Sequence, residues 1–245
     1  MTPIEKLSEV MKTSEIHWFN SAVNISLRER FVFVENPKVA SSTIKSRLHA
    51  NALSSLKNIR VGPHPDIANS PFVKPYQLPD EALAEYLFGP DFFRFTFVRN
   101  PFNRLLSSYL DKIAGAAPEK GYVDGFWKRK YGAAKEQYTF SEFVEYIAES
   151  PDNMRDKHWR TQHRITLSSY INYSFVGRFE MLTEHLSYIN TISSIDFSNI
   201  KEVSPHKTNA NSKLKDFYTD DIIERVGNIY GIDFDTFGYA KELPT

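Results

Sequence analysis

Nine residues, Pro37-Lys38-Val39-Ala40-Ser41-Ser42-Thr43-Ile44-Lys45, combine a loop lysine with three consecutive hydroxyl side chains. They follow the apolar run Phe31-Val32-Phe33-Val34. A strand feeding a helix through such a loop aims backbone N–H groups and the positive helix end at an anion. Lys38 adds a mobile positive charge. Pro37, Ser41, Ser42, Thr43 and Lys45 complete a cradle for a phosphate-like group. The same logic returns in Phe97-Val98-Arg99-Asn100-Pro101, which leads to Ser107-Ser108. Arg99 stands at a strand end, where its fork can grip a phosphate at two points. Ser107, preferred over Ser108, lies two helical turns further on. Two anion-holding strand ends in one sheet suit a ligand with two separate phosphates. Pro37 to Lys45 contains no glycine, so the triphosphate-wrapping Walker loop is excluded. The GxGxxG dinucleotide fingerprint is also missing.

The elements that must hold these residues are legible around them. Arg30 to Glu35 reads as a central strand, and Ser41 or Ser42 as the cap of a helix running to about Leu56. Asn58 to Pro79, rich in proline, reads as loop. Phe92 to Val98 is a second strand. Asn100-Pro101 starts a helix through Ile113, with asparagine at the cap and proline at the first helical position. Gly115 to Gln137 breaks the pattern as a long loop excursion (114–138 in all). It carries Phe126-Trp127-Lys128-Arg129-Lys130-Tyr131, either a sugar platform or a solvated loop with one or two rings tucked in. Thr139-Phe140-Ser141-Glu142 is a capping box for a helix to about Glu149. Tyr173 to Phe179 is a third strand, followed by a helix from Glu184 to about Ile192. Ser204 to Ser212 reads as a polar loop, Asp220-Asp221 as the start of a last helix to Tyr230, and the end as turns. Strands alternating with helices predict an α/β fold with a mostly parallel central sheet flanked by helices, ligands sitting at the carboxyl ends of the strands.

Bulk composition narrows the classes further. The chain has 245 residues, enough for a single α/β domain over 1–245 with residues 1–29 as a lead-in. Lys+Arg and Asp+Glu are both 30, so no bulk field draws it to nucleic acid. There is no cysteine, which excludes disulfides, thiol catalysis and cysteine-ligated zinc. No metal-ligand spacing is visible. Met1 to Ser14 lacks the apolar run of a signal peptide, and no window approaches the ~18 apolar residues of a membrane span. A cytoplasmic location is expected.

These motifs, in this order, resemble the sulfotransferases that use 3′-phosphoadenosine 5′-phosphosulfate (PAPS), and most closely the carbohydrate branch that sulfates chondroitin and related sugars. Lys157-His158-Trp159-Arg160 is similar to that branch's His-Trp segment. Phe175-Val176-Gly177-Arg178-Phe179-Glu180 is similar to its Gly-Lys/Arg-aromatic-Glu strand end. Asp233-Phe234 and Phe237-Gly238-Tyr239 are similar to its C-terminal signature. The resemblance covers roughly residues 30 to 240. It implies a P-loop-NTPase-like sulfotransferase fold, PAPS as co-substrate with the bisphosphate PAP as product, no metal, and a carbohydrate acceptor. It places Pro37 to Lys45 on the 5′-phosphosulfate with Lys38 at the bond that breaks, Arg99 and Ser107 on the 3′-phosphate, and Arg178 near the nucleotide. Lys207 and Thr208 are candidates for a loop over it. As base for the acceptor hydroxyl, His64 is preferred, then His158, then a carboxylate such as Glu35. The branch usually carries a membrane anchor and cysteines. Their absence here points to a soluble bacterial relative. An acceptor that is a small alcohol, phenol or lipid headgroup, and a nucleotide-binding protein without transfer activity, stay open.

Overall fold

The computed structural model describes residues 1–13, 16–55, 61–62, 64–65, 69–197 and 209–244. Lys207 and Thr208 lie outside the described residues. In chain order the elements are α1 (Pro3–Thr13), α2 (Ile16–Ala22), β1 (Val23–Ser26), β2 (Phe31–Val34), α3 (Ser41–Ala52), α4 (Asp80–Phe88), β3 (Phe93–Val98), α5 (Pro101–Ser108), α6 (Lys120–Tyr131), α7 (Phe140–Glu149), α8 (Gln162–Ile165), β4 (Phe175–Arg178), α9 (Leu182–Ile192), α10 (Ala210–Phe217), α11 (Asp220–Ile229) and α12 (Gly231–Phe237). They form two compact units: Met1–Val98 with Arg164–Ser204, and Arg99–His163 with Pro205–Thr245.

The first unit holds the sheet, in the order β1-β2-β3-β4. The pairs β2–β3 and β3–β4 are parallel, as expected, and β1 adds an antiparallel edge. The side-chain period of a strand explains its two faces. Phe31 and Phe33 of β2 point one way, with Phe95 and Phe97, into a cluster with Ile44 and Leu48 of α3 and Leu186 and Ile189 of α9. Val32 and Val34 point the other way, to Leu7 and Val10 of α1 and Leu83 and Leu87 of α4. Both faces of β2 are therefore fully buried, which is why it reads as an unbroken apolar run. Gly177 in β4 is paired with Phe97, and a Cβ there would sit 2.3 Å from the Phe97 ring. Glycine is required because the ring occupies the place of a side chain.

In the second unit, Asn100 caps α5 as expected: its Oδ1 accepts from the N–H groups of Phe102 at 2.9 Å and Asn103 at 3.5 Å, with Pro101 at the first position. The helical path continues over Tyr109–Ile113 as one wider π turn. The Thr139–Glu142 capping box is present in both directions. Three expectations are corrected. The excursion over 114–138 contains the helix α6, its last turn rich in Lys128, Arg129 and Lys130, which favour the negative helix end, and its stop set by Gly132 at φ 83. Trp127 is tucked in there, stacked on Tyr131 at 4.4 Å, but on a helix rather than a loop. The supposed polar loop after Ser204 is helical from Ala210 onwards. The supposed turns at the end include α12, because Asp233, Phe234 and Phe237 bury one helix face. Phe102, Leu105 and Leu106 of α5 join Phe143, Trp159, Tyr218, Tyr230 and Phe234 in this unit's core.

Candidate functional site

The loop after β2 achieves without glycine what a phosphate loop normally uses glycine for. Lys38 and Ala40 both take left-handed backbone conformations, φ 70 and 64. Each costs about 1–2 kcal/mol for a residue with a Cβ. The loop is pinned from below: Asn36 Nδ2 donates to the Phe97 carbonyl at 3.0 Å, and the Ser41 hydroxyl donates to the Asn36 carbonyl. The expectation that Ser41 or Ser42 caps α3 is therefore corrected. Ala40 is the cap residue and brings no side-chain oxygen to the first-turn N–H groups. That leaves the cap without the serine hydroxyl that would compete with a bound anion.

Lys45 does more than line a phosphate cradle. It is buried, its Nζ 2.8 Å from Glu35 Oε1 and 3.0 Å from His64 Nδ1. Glu35 also accepts from Asn24 Nδ2 at 3.1 Å, and Asn24 Oδ1 accepts from Lys74 Nζ at 2.6 Å. Burial pulls Lys74 down to about 8, against the pull of Glu35 in the other direction. His49, buried with its Nδ1 2.9 Å from the Gly62 carbonyl, is lowered by desolvation to about 4 and is neutral. His64 is exposed, with Nε2 3.0 Å from the Ser42 hydroxyl. An ammonium has only donors. Lys45 therefore donates to His64 Nδ1, and the ring proton sits on Nε2, where it is donated to Ser42. In this arrangement His64 faces the hydroxyl loop as a donor, which weakens the expectation that it is the base.

Arg99 is buried, and its backbone and its guanidinium tip are both held. Its N–H donates to Gln162 Oε1 at 2.9 Å, and Gln162 Nε2 donates back to the Arg99 carbonyl at 2.7 Å. At the far end Nη2 donates to Asn211 Oδ1 at 2.7 Å, an oxygen that also accepts from Asn103 Nδ2 at 2.8 Å. Ser107 is buried on α5. The Ser108 hydroxyl is committed to the Arg104 and His158 carbonyls, at 3.0 and 2.6 Å. Arg104, fully buried, ties α5 to the His-Trp segment by donating to the carbonyls of Arg160 and Lys157. His158 is mostly buried. Its Nδ1 is 2.6 Å from Asp156 Oδ1 and 3.7 Å from Glu119 Oε1. Burial lowers its pKa, and Asp156 opposes that. A carboxylate on Nδ1 holds the proton there and leaves Nε2 as the basic atom. Arg178 ends β4, its N–H donating to His185 Nδ1 at 2.7 Å.

A family model described as "Sulfotransferase family" matches residues 21–240. The chain belongs to the sulfotransferase family. It is 30% identical over 169 residues to carbohydrate sulfotransferase 14 of Danio rerio, covering 65% of this chain and 45% of that protein. It is 30% identical over 164 residues to carbohydrate sulfotransferase 14 of Mus musculus, covering 64% and 43%. It is 30% identical over 165 residues to carbohydrate sulfotransferase 9 of Homo sapiens, covering 59% and 37%. The matches span less than half the length of these relatives. No solved structure matches the chain. Among the described residues no helix is long and apolar enough to cross a membrane, and no group of three or more His, Asp or Glu is placed to hold a metal ion.

Within this sulfotransferase chain, the residues that sequence reasoning missed are mostly supports. Gln162 and Asn211 carry no motif signal of their own, and Arg104 stands inside the Arg99-to-Ser107 stretch without having been given a role. Asp233 was visible only as part of a C-terminal pattern, and its work is specific. It is fully buried, and its two oxygens accept from the N–H groups of Gln162 and His163, each at 2.8 Å. Burial raises it from 3.8 to about 6, although both N–H groups favour the carboxylate. The protonated form is thus the one the fold prefers. Its stabilisation is complete below about pH 3.8 and is lost as pH rises through about 6, a span of roughly 3 kcal/mol. Relative to Asp233→Asn, the unfolding free energy of the wild type is expected to fall by that order between pH 4 and 7, as read from urea titrations. A difference independent of pH would contradict the burial argument.

Proposed function

We propose that the chain transfers a sulfuryl group from PAPS to a hydroxyl of a carbohydrate. The family match across residues 21–240, with Lys38 in the loop after β2 and Arg99 just after β3, carries this reading. PAPS supplies the activated sulfate. Lys38 and the N–H groups of Ser41, Ser42 and Thr43 hold its 5′ end, and Lys38 offsets the charge that grows on the leaving phosphate. The Ser41 hydroxyl is spent within the loop. Lys45 acts through His64, whose Nε2–H steadies Ser42. Arg99 and Ser107 hold the 3′-phosphate, and Arg178 serves the nucleotide. His158, oriented by Asp156, takes the proton of the acceptor hydroxyl as its oxygen bonds to sulfur and the bond to the 5′-phosphate breaks. The carbohydrate acceptor follows the printed names of the relatives.

The test is transfer of labelled sulfate from PAPS to a panel of glycans, small alcohols and phenols. Label on a glycan is expected. Transfer only to small alcohols or phenols would refute the acceptor, and no transfer with PAP still bound would leave a binding protein. The base assignment has its own readout. Because burial lowers His158, the acid limb of kcat is expected below the ordinary histidine value of about 6.5. His158→Ala should lower kcat by about 10²-fold or more and remove that limb. Loss of the limb in His64→Ala, with His158→Ala active, would reverse the two roles.

A further inference from the structure

Arg99 leaves β3 one residue after the sheet ladder ends, since Val98↔Arg178 is the last pair of β3 with β4. Its backbone N–H and C=O are then paired by a side chain. Gln162 offers one acceptor and one donor to the same residue, at 2.9 and 2.7 Å, as a neighbouring strand would. The Gln162 side chain is fully buried, and its own backbone is held by the fully buried Asp233. The path Asp233 to Gln162 to Arg99 is thus made of short bonds inside one compact unit, and it ends at the Arg99 backbone, where the side chain begins. Asn211 holds the tip. A long side chain anchored at both ends loses little freedom on meeting an anion, and preorganisation of that kind is a main source of affinity.

We infer that Gln162, itself held by Asp233, is the positioning residue that aims Arg99 and so sets the preference for a nucleotide bearing a 3′-phosphate. The inference rests on the proposed role of Arg99 as the 3′-phosphate grip. Gln162 touches neither nucleotide nor acceptor in this account. Its effect appears only in the part of the affinity that the 3′-phosphate contributes.

The experiment measures binding of PAP and of AMP, which lacks the 3′-phosphate, by calorimetry on the full chain. Wild type should prefer PAP by about 100-fold or more, and Arg99→Ala should remove the preference. Gln162→Met keeps the length and apolar volume and removes both bonds. It should weaken PAP by about 10- to 100-fold while AMP changes by less than about threefold. Asp233→Asn, which keeps one of the two acceptors, should lower the PAP-to-AMP ratio by a smaller factor and decides the matter if Gln162→Met does not fold. Equal weakening of both ligands would make Gln162 a support of the fold alone and overturn the inference. An unchanged ratio would also overturn it. A wild type without preference for PAP, unaffected by Arg99→Ala, would bring down the Arg99 role first and the inference with it.

Discussion

Lys38→Ala is expected to lower single-turnover sulfuryl transfer at saturating PAPS by about 10²- to 10³-fold. PAP affinity should fall by no more than about tenfold, because on the proposed reading the first-turn N–H groups of α3 still hold the 5′-phosphate. The lysine's charge matters most when negative charge builds on that phosphate, so the loss belongs in kcat rather than in binding. The backbone supplies a control. Lys38 stands at φ 70, where alanine stays as strained as lysine but glycine does not. Lys38→Gly should therefore be more stable than Lys38→Ala by about 0.5–1 kcal/mol and just as slow. Equal inactivity of the two shows that the charge was lost, not the loop shape. Turnover of Lys38→Ala near the wild-type rate would refute the leaving-group role. Recovery of rate in the glycine variant alone would assign the effect to strain.

Glu35→Gln is expected to destabilise the chain by about 3–5 kcal/mol, lowering the melting midpoint by roughly 6–20 °C. Glu35 accepts directly from Lys45 and Asn24, and Asn24 in turn accepts from Lys74. Lys74 also feels the Glu35 charge, which holds it up against desolvation. Without the carboxylate, two buried ammonium groups remain beside neutral His49 with no anion, and Lys74 should shift further below about 8. The converse change is milder. Lys45→Met leaves Glu35 with Asn24 and the charge of Lys74, so its cost should be clearly smaller. Thermal denaturation of the two variants gives the order directly. Lys45→Met proving as costly as Glu35→Gln would show that Lys74 lends Glu35 nothing. A loss under about 1 kcal/mol for Glu35→Gln would show the network to be solvated.

Much of the scaffold was legible because its signals are local. The Phe-Val run of β2, the Asn100-Pro101 start of α5 and the Thr139–Glu142 box each depend on residues within one turn or one strand. The excursion at 114–138 was misread for an equally physical reason. Glycines at 115, 121 and 125 lower helix propensity, and only the burial of Val123 and Trp127 against the core of their unit overrides them. The elements β1 and α12 went unseen because four-residue strands and seven-residue helices carry too few residues for a periodic pattern.

For the candidate site the division is sharper. The sequence by itself determined which charges and hydroxyls stand at strand ends, that no glycine-based phosphate loop is present, and which family the ordered motifs match. Those depend on residue type and short spacing, and both are written in the chain. Only the tertiary structure decided that Ala40 rather than a serine caps α3, that Lys45 is buried between Glu35 and His64, and that Gln162 and Asp233 stand behind Arg99. The last two join residues 10 to 71 positions apart. A buried charge or amide takes whichever partner the fold brings to it, because leaving it unpaired costs more than any local preference can offset.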